Sequence, residues 1–163
     1  MDGQEHFQEL YAKGIKPWDS GVPSKALLEA LEAGEIPKPP ARLLELGCGT
    51  GTNAIELARR GYTVTAADFV ANVVETAGAK AAAAKVSVDF RVADVTKDDL
   101  GGPYDVLFDR GVYHHIRTVN LAAFQAALRR ITKPGTRWLS LAGNANEKSE
   151  RMGPPRVGEQ EIR

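Results

Sequence analysis

Three observations predict an α/β sandwich built on a mostly parallel sheet. Apolar strand-like runs alternate with helix-like stretches from Arg42 onward, a glycine-rich turn follows the first run, and acidic residues close the second and third. Alternation of this kind, joined by right-handed crossovers, covers both faces of a parallel sheet with helices. With 163 residues and a hydrophobic fraction of 43%, the chain is long enough for an ordinary buried core.

The elements follow in order. Residues 6–13 predict a short helix, and Ser24 suits the N-cap of a second one in which Ala26, Leu27, Ala30 and Leu31 share a face and Gly34 ends the run. Pro37, Pro39 and Pro40 cannot continue a helix, so they separate an N-terminal helical flap or lid, residues 1–40, from the main domain, residues 41–163. There, residues 42–46, 62–67 and 86–92 read as strands, with helices over 52–60 and 70–84 between them. Residues 104–109 read as a further buried strand, Leu121, Phe124, Leu128 and Ile131 form a helical stripe, and residues 136–142 make a last strand. The alanine-rich stretch 77–85 is a strong helix former, and no internal repeat is visible.

Lys plus Arg and Asp plus Glu both number 21, so no overall field attracts a phosphate backbone or an anionic membrane. A small-molecule partner is favoured over nucleic acid. Residues 1–10 lack the basic-then-apolar pattern of a secretion signal, and no run approaches the roughly 20 apolar residues that cross a bilayer. Cys48 is the one cysteine, which excludes an internal disulfide and a cysteine-based metal cluster and points to a reducing cytoplasm.

Gly47, Gly49 and Gly51 let the chain turn tightly between a strand and a helix and present N–H groups to a ligand. A dinucleotide site would place its third glycine where Thr52 stands, so the G-x-G-x-G spacing favours S-adenosyl-L-methionine. Glu45 either holds this loop or faces a cationic ligand, and it would repel a pyrophosphate. Asp68 ends the second strand, where a carboxylate can accept from two ribose hydroxyls. Asp94 and Val95 follow the third strand and suit the adenine amino group and ring nitrogen, with a helix N-cap as the alternative for Asp94. Phe69 either walls the adenine or packs in the core.

The motifs L-L-E-L-G-C-G-T-G at 43–51, D-F at 68–69 and A-D-V at 93–95 resemble those of class I S-adenosylmethionine-dependent methyltransferases, in the order that family shows. The resemblance covers roughly residues 41–142. It implies a Rossmann-like three-layer sandwich with strand order 3-2-1-4-5 and S-adenosyl-L-homocysteine as product. More narrowly, K-P-W-D-S-G at 16–21 and F-D-R-G at 108–111 resemble the thiopurine, halide and tellurite methyltransferase group. That likeness implies a lid containing Trp18 and Asp19, and an acceptor that is a thiol or other soft nucleophile. Trp18 as a simple anchor of the flap remains the alternative.

Methyl transfer from a sulfonium needs an aligned nucleophile and a dry pocket more than an acid or a metal. Asp109, Arg110, Tyr113, His114 and His115 follow the fourth strand, at the sheet edge where open α/β folds bind ligands. His114 or His115 suits a general base, Asp109 a contact to the cofactor ammonium or a catalytic role, and Arg110 and Tyr113 the acceptor. No Asn-Pro-Pro-Tyr type motif follows this strand, which weighs against DNA amino methylation, and Cys48 is misplaced for cytosine-carbon chemistry.

Relative to the resembled family, the C-terminal antiparallel hairpin is missing, and residues 158–163 read as the start of a further helix. The expectation is therefore a truncated domain with an apolar fifth-strand edge open to a second copy. Two readings compete: a small-molecule methyltransferase, and an adenosylmethionine-binding module or oligomeric remnant without turnover. A nucleotide-dependent oxidoreductase is a distant third.

Overall fold

The computed structural model describes residues 3–144, 156–157 and 160. Helices α1 (Gly3–Ala12) and α2 (Lys25–Ala33) precede β1 (Arg42–Leu46), α3 (Thr52–Arg59), β2 (Thr63–Asp68), α4 (Ala71–Ala83), β3 (Asp89–Val92), β4 (Val106–Arg110), α5 (Tyr113–Ile131) and β5 (Arg137–Leu141). The five strands form one sheet in the order β3-β2-β1-β4-β5, and every pairing in it is parallel. This is the predicted topology. Short segments β6 (Gly143–Asn144) and β7 (Arg156–Val157) pair in parallel apart from the main sheet, and all but one of residues 158–163 lie outside the described residues.

β1 is the central strand, and four of its five residues are buried, as a strand covered on both faces requires. Side chains alternate between faces. Leu43 joins Leu57, Val64, Val106 and Phe108 in one core layer, whereas Leu44 and Leu46 join Leu107, Phe124 and Ile131 in the other. Ser24 and Gly34 bound α2 as expected, with Gly34 in the left-handed region and its N–H turned back to Ala30 and Leu31.

α5 begins earlier than its apolar stripe predicts. Asn120 (φ −155°, ψ 69°) interrupts it, and the Asn120 side-chain oxygen accepts the Ala123 N–H at 3.1 Å. Asn120 thus caps the second half, which contains the predicted stripe, while 113–119 form an additional helical segment.

Gly51 makes α3 fit. It has φ +77°, and a Cβ there would lie 2.8 Å from Ala77 Cβ and 3.0 Å from Phe90 Cζ. Left-handed strain and overpacking both oppose a side chain, so Gly51→Ala is expected to cost about 2 to 4 kcal/mol in denaturant unfolding. Gly14→Ala, with open space at the Cβ position, is expected to cost roughly 1 kcal/mol. Equal losses at the two positions would contradict the packing argument.

Candidate active site

Parallel register brings the carboxyl ends of β1, β2 and β4 to one height, pairing Leu46 with both Ala67 and Asp109. Beyond that edge lies a cavity of about 1070 Å³. Its walls come from the glycine loop, the strand tips, the start of α5 and the N-terminal segment.

Glu45 forms part of the floor and is 2% exposed. Its Oε1 accepts from Asn53 Nδ2 at 3.4 Å, and its Oε2 has no hydrogen-bond partner. Burial, reinforced by the nearby charges of Asp68 and Asp109, pushes this carboxyl up to about 8. Asp68 is also buried, which raises its pKa, but it is well supplied with donors. Gly49 N–H donates to Oδ2 at 2.9 Å and Val70 N–H to Oδ1 at 3.1 Å. It therefore clamps the glycine loop while each carboxylate oxygen keeps capacity for a second donor.

Gly47 (φ +66°) and Gly49 line the cavity, and a Cβ on Gly47 would clash with Val112 Cγ2. Gly51 is not on the wall. Of the three glycines expected at the ligand, Gly47 and Gly49 are on the cavity wall, whereas the third seats α3 against Ala77 and Phe90. Phe69, Asp94 and Val95 do line the cavity. Asp94 Oδ1 accepts the Thr96 N–H at 2.9 Å and the Thr96 hydroxyl at 2.6 Å, and its Oδ2 meets Lys97 at 3.0 Å; these contacts close a turn, and no helix follows for Asp94 to cap.

The N-terminal segment closes one side. Phe7 meets Trp18, Phe69 and His115 edge-on at centroid distances of 5.6, 6.2 and 5.1 Å, and Trp18 Nε1 donates to the Tyr11 hydroxyl at 3.0 Å. Burial pushes Tyr11 up to about 12, so it stays a neutral phenol. Asp19 accepts from the Thr50 hydroxyl at 2.7 Å, which ties this segment to the glycine loop.

Arg110, His114 and His115 also line the cavity, with His115 against the N-terminal segment through Phe7. His114 is buried beneath Gly111, and burial, with His115 and Arg117 nearby, lowers it to about 4. Burial and the neighbouring His6 lower His115 as well. Both imidazoles are neutral at pH 7. Two expected site residues stand elsewhere. Asp109 is 0% exposed and off the cavity wall; its Oδ1 accepts the Val112 and Tyr113 N–H groups at 3.0 Å and its Oδ2 the Trp138 indole at 2.9 Å. A carboxylate just ahead of a helix satisfies the first-turn donors, so Asp109 anchors α5. Tyr113 packs on Phe124 and Trp138 in the core, also away from the wall.

Sequence reasoning missed Phe7, Tyr11 and Thr50. The spacing of Phe7, Leu10 and Tyr11 along one helical face carried the signal for the first two. Thr50 shows its importance only through its partner Asp19, 31 positions away.

A family model described as a methyltransferase domain matches residues 43–135, more than half of the chain. The chain belongs to the class I S-adenosylmethionine-dependent methyltransferases. Among its methyltransferase relatives is the 2-heptyl-1-hydroxyquinolin-4(1H)-one methyltransferase of Mycobacteroides abscessus, 27% identical over 150 residues that cover 90% of this chain and 65% of the relative. Its fold matches, at a TM-score of 0.77 and 32% identity, a structure reported for the conversion of a disulfide bond into a thioacetal group during echinomycin biosynthesis, over 87% of this chain and 59% of that one. The magnesium protoporphyrin IX methyltransferase of Synechocystis PCC 6803, solved with bound S-adenosylmethionine, shares the fold at a TM-score of 0.74 and 19% identity, over 100% of this chain and 83% of that one. The chain spans less than two thirds of the quinolone enzyme and of the echinomycin-pathway protein. No described helix of this methyltransferase domain is long and apolar enough to cross a membrane.

The residues present fit the family's cofactor. A buried carboxylate with an orphan oxygen, Glu45, suits a ligand that carries ammonium and sulfonium charge, and Asp68 suits paired hydroxyls. Glu45 also sets a pH dependence. The folded protein keeps a proton that the unfolded chain, with an ordinary value near 4.5, releases. Its contribution is fully present below pH 4.5 and is lost as pH rises through 8. Glu45→Gln is expected to remove this slope and to be more stable than wild type near pH 9 in ligand-free unfolding. Parallel pH curves for the two proteins would refute the assignment.

Proposed function

We propose that this domain binds S-adenosylmethionine in the cavity at the β1, β2 and β4 tips and methylates a small-molecule nucleophile held between His115, Arg110 and the aromatic lid. The observation that carries the reading is the convergence of Glu45, the Gly47–Gly49 turn and Asp68 on one cavity wall, closed by Phe7 and Trp18. When bound, the cofactor supplies an electrophilic methyl group on a sulfonium centre.

The chain's own residues divide the remaining work. Asp68 accepts the ribose hydroxyls while holding Gly49 in place, Glu45 offers its free oxygen to the ligand's cationic end, and Val95 with Phe69 takes the adenine. Asp94, on the same wall, accepts from the adenine amino group. Phe7 and Trp18 exclude water, which favours loss of charge on a departing sulfonium. His115, neutral and beside Phe7, takes the proton of the acceptor, and Arg110 holds an anionic group on it.

A sulfur acceptor is the finer reading. It is supported by the K-P-W-D-S-G and F-D-R-G segments and by the likeness to a protein whose structure concerns disulfide-to-thioacetal conversion. The named activity of the quinolone relative makes a hydroxyl or N-hydroxyl acceptor the competing arm. We further propose that the β5 edge, where Trp138 is 37% exposed, is where two copies meet; a monomer by sedimentation at high concentration would remove that idea.

Calorimetry with S-adenosylmethionine, S-adenosylhomocysteine and NADH tests the core claim. Both adenosyl ligands are expected to bind and NADH is not, and Asp68→Ala is expected to weaken binding by about tenfold or more. A folded chain that binds neither adenosyl ligand would falsify the proposal. Binding with no product from thiols, hydroxylated aromatics or chalcogen oxyanions would instead support a module without turnover.

Where turnover is found, His115→Gln is expected to lower kcat by about a hundredfold. The wild-type rate should be flat above pH 6.5 and fall only at more acid pH, because the lowered histidine must be deprotonated to act. An unchanged rate in His115→Gln would remove it as the base.

A further inference from the structure

Lys80 lies on α4 and is not part of the cavity wall. Its ammonium donates to the Thr50 hydroxyl at 3.0 Å and to the Thr52 hydroxyl at 2.9 Å. Thr52 is the first residue of α3, so a cation sits at a helix N-terminus, the end where the helix dipole disfavours positive charge. Among the described residues no carboxylate forms a direct ion pair with Lys80. Such a placement needs a compensating anion nearby.

The anion comes from the lid. An ammonium only donates and a carboxylate only accepts, so with Lys80 donating to Thr50 Oγ1 the Thr50 hydrogen is directed to Asp19 Oδ2, 2.7 Å away. The direction of the relay Lys80 to Thr50 to Asp19 is thereby fixed at both ends. Thr50 is buried and the Asp19 side chain is 13% exposed, which shields the relay from water. Against its partial burial, the Thr50 hydroxyl, the Gly21 N–H and Lys16 hold the Asp19 carboxyl below its usual value, so it is ionised at neutral pH. Asp19 directly follows Trp18, whose indole reaches Tyr11 and whose ring meets Phe7. The relay therefore ends on the residue that carries the aromatic wall.

We propose that Lys80 is a positioning residue: acting through the Thr50 hydroxyl, it holds the Asp19 carboxylate and the attached aromatic lid against the glycine loop, and so sets how long an adenosyl ligand stays in a cavity that Lys80 itself does not touch. The inference rests on the reading of that cavity as the cofactor site. Lys80→Met keeps the aliphatic stem and removes the donor, Thr50→Val removes the relay, and Asp19→Asn weakens its far end. Lys80→Arg keeps a charged donor. Asp19→Asn lies outside the core, so it tests the relay even if a change at Lys80 or Thr50 harms folding.

Two measurements separate this inference from the reading beneath it. In ligand-free protein, hydrogen exchange of residues 3–23 is expected to quicken about tenfold in Lys80→Met, Thr50→Val and Asp19→Asn, while the sheet strands keep wild-type protection. In stopped-flow binding, dissociation of S-adenosylhomocysteine should quicken by a similar factor in each, no further in the Lys80→Met/Asp19→Asn double variant, and little in Lys80→Arg. Additive effects of the two substitutions, or wild-type exchange and dissociation in Lys80→Met, would overturn the relay while leaving the cofactor site intact. Failure of wild type to bind the ligand, with the exchange result as expected, would overturn the cofactor reading and with it the part of this inference that concerns residence time.

Discussion

The parallel register of β1 with both β2 and β4 is the constraint on which the site depends. It places Glu45, Asp68 and Asp109 at the same edge of the sheet, each buried and each on a different strand. Three carboxylates in a low-dielectric setting repel one another, so each needs an environment that makes it tolerable. Asp68 and Asp109 find theirs in backbone N–H groups, of the glycine loop and of the first turn of α5. Glu45 is left with the weakest supply, a long contact to Asn53 and the Ala54 N–H against full burial, and responds by holding a proton. The unsatisfied member of the trio is the one that remains open to a cationic ligand.

The same economy explains the local architecture around the trio. By clamping Gly49, Asp68 shapes the loop on which Thr50 is carried, and Thr50 in turn reaches Asp19 of the N-terminal segment. By ordering Val112 and Tyr113, Asp109 directs the start of α5 so that His114 and His115 face the cavity. Through their backbone contacts, these two carboxylates thus determine where the lid docks and where the acceptor side begins.

Strand order, helix positions and the glycine-loop site were legible because each has a local signature: apolar runs, glycine spacing, and an acidic residue at a strand end. The places of Asp109 and Tyr113 off the cavity wall were not legible, for a specific reason. An acidic residue at the tip of β4 serves a ligand or a following helix equally well on sequence grounds, and only the positions of the Val112 and Tyr113 N–H groups separate the two. The packing role of Gly51 left no local signature because its partners, Ala77 and Phe90, are distant in sequence. The lid contacts of Thr50 and Lys80 were invisible for the same cause: hydroxyl and ammonium partners 28 to 31 positions away leave no periodic trace.

The break at Asn120 divides α5 into a segment that borders the cavity and one that belongs to the core. Phe124, Ala127 and Ile131, beyond the break, are buried, whereas Val119 just before it is 73% exposed at the cavity rim. A helix continuous through this point would tie every change at the rim to the packing of the sheet. With a capped joint between them, exposed rim positions such as Val119 are free of the packing of Phe124, Ala127 and Ile131, while Tyr113 and Ile116 tie the first segment to the core. A single asparagine thus gives the fold a stable frame with an interchangeable face.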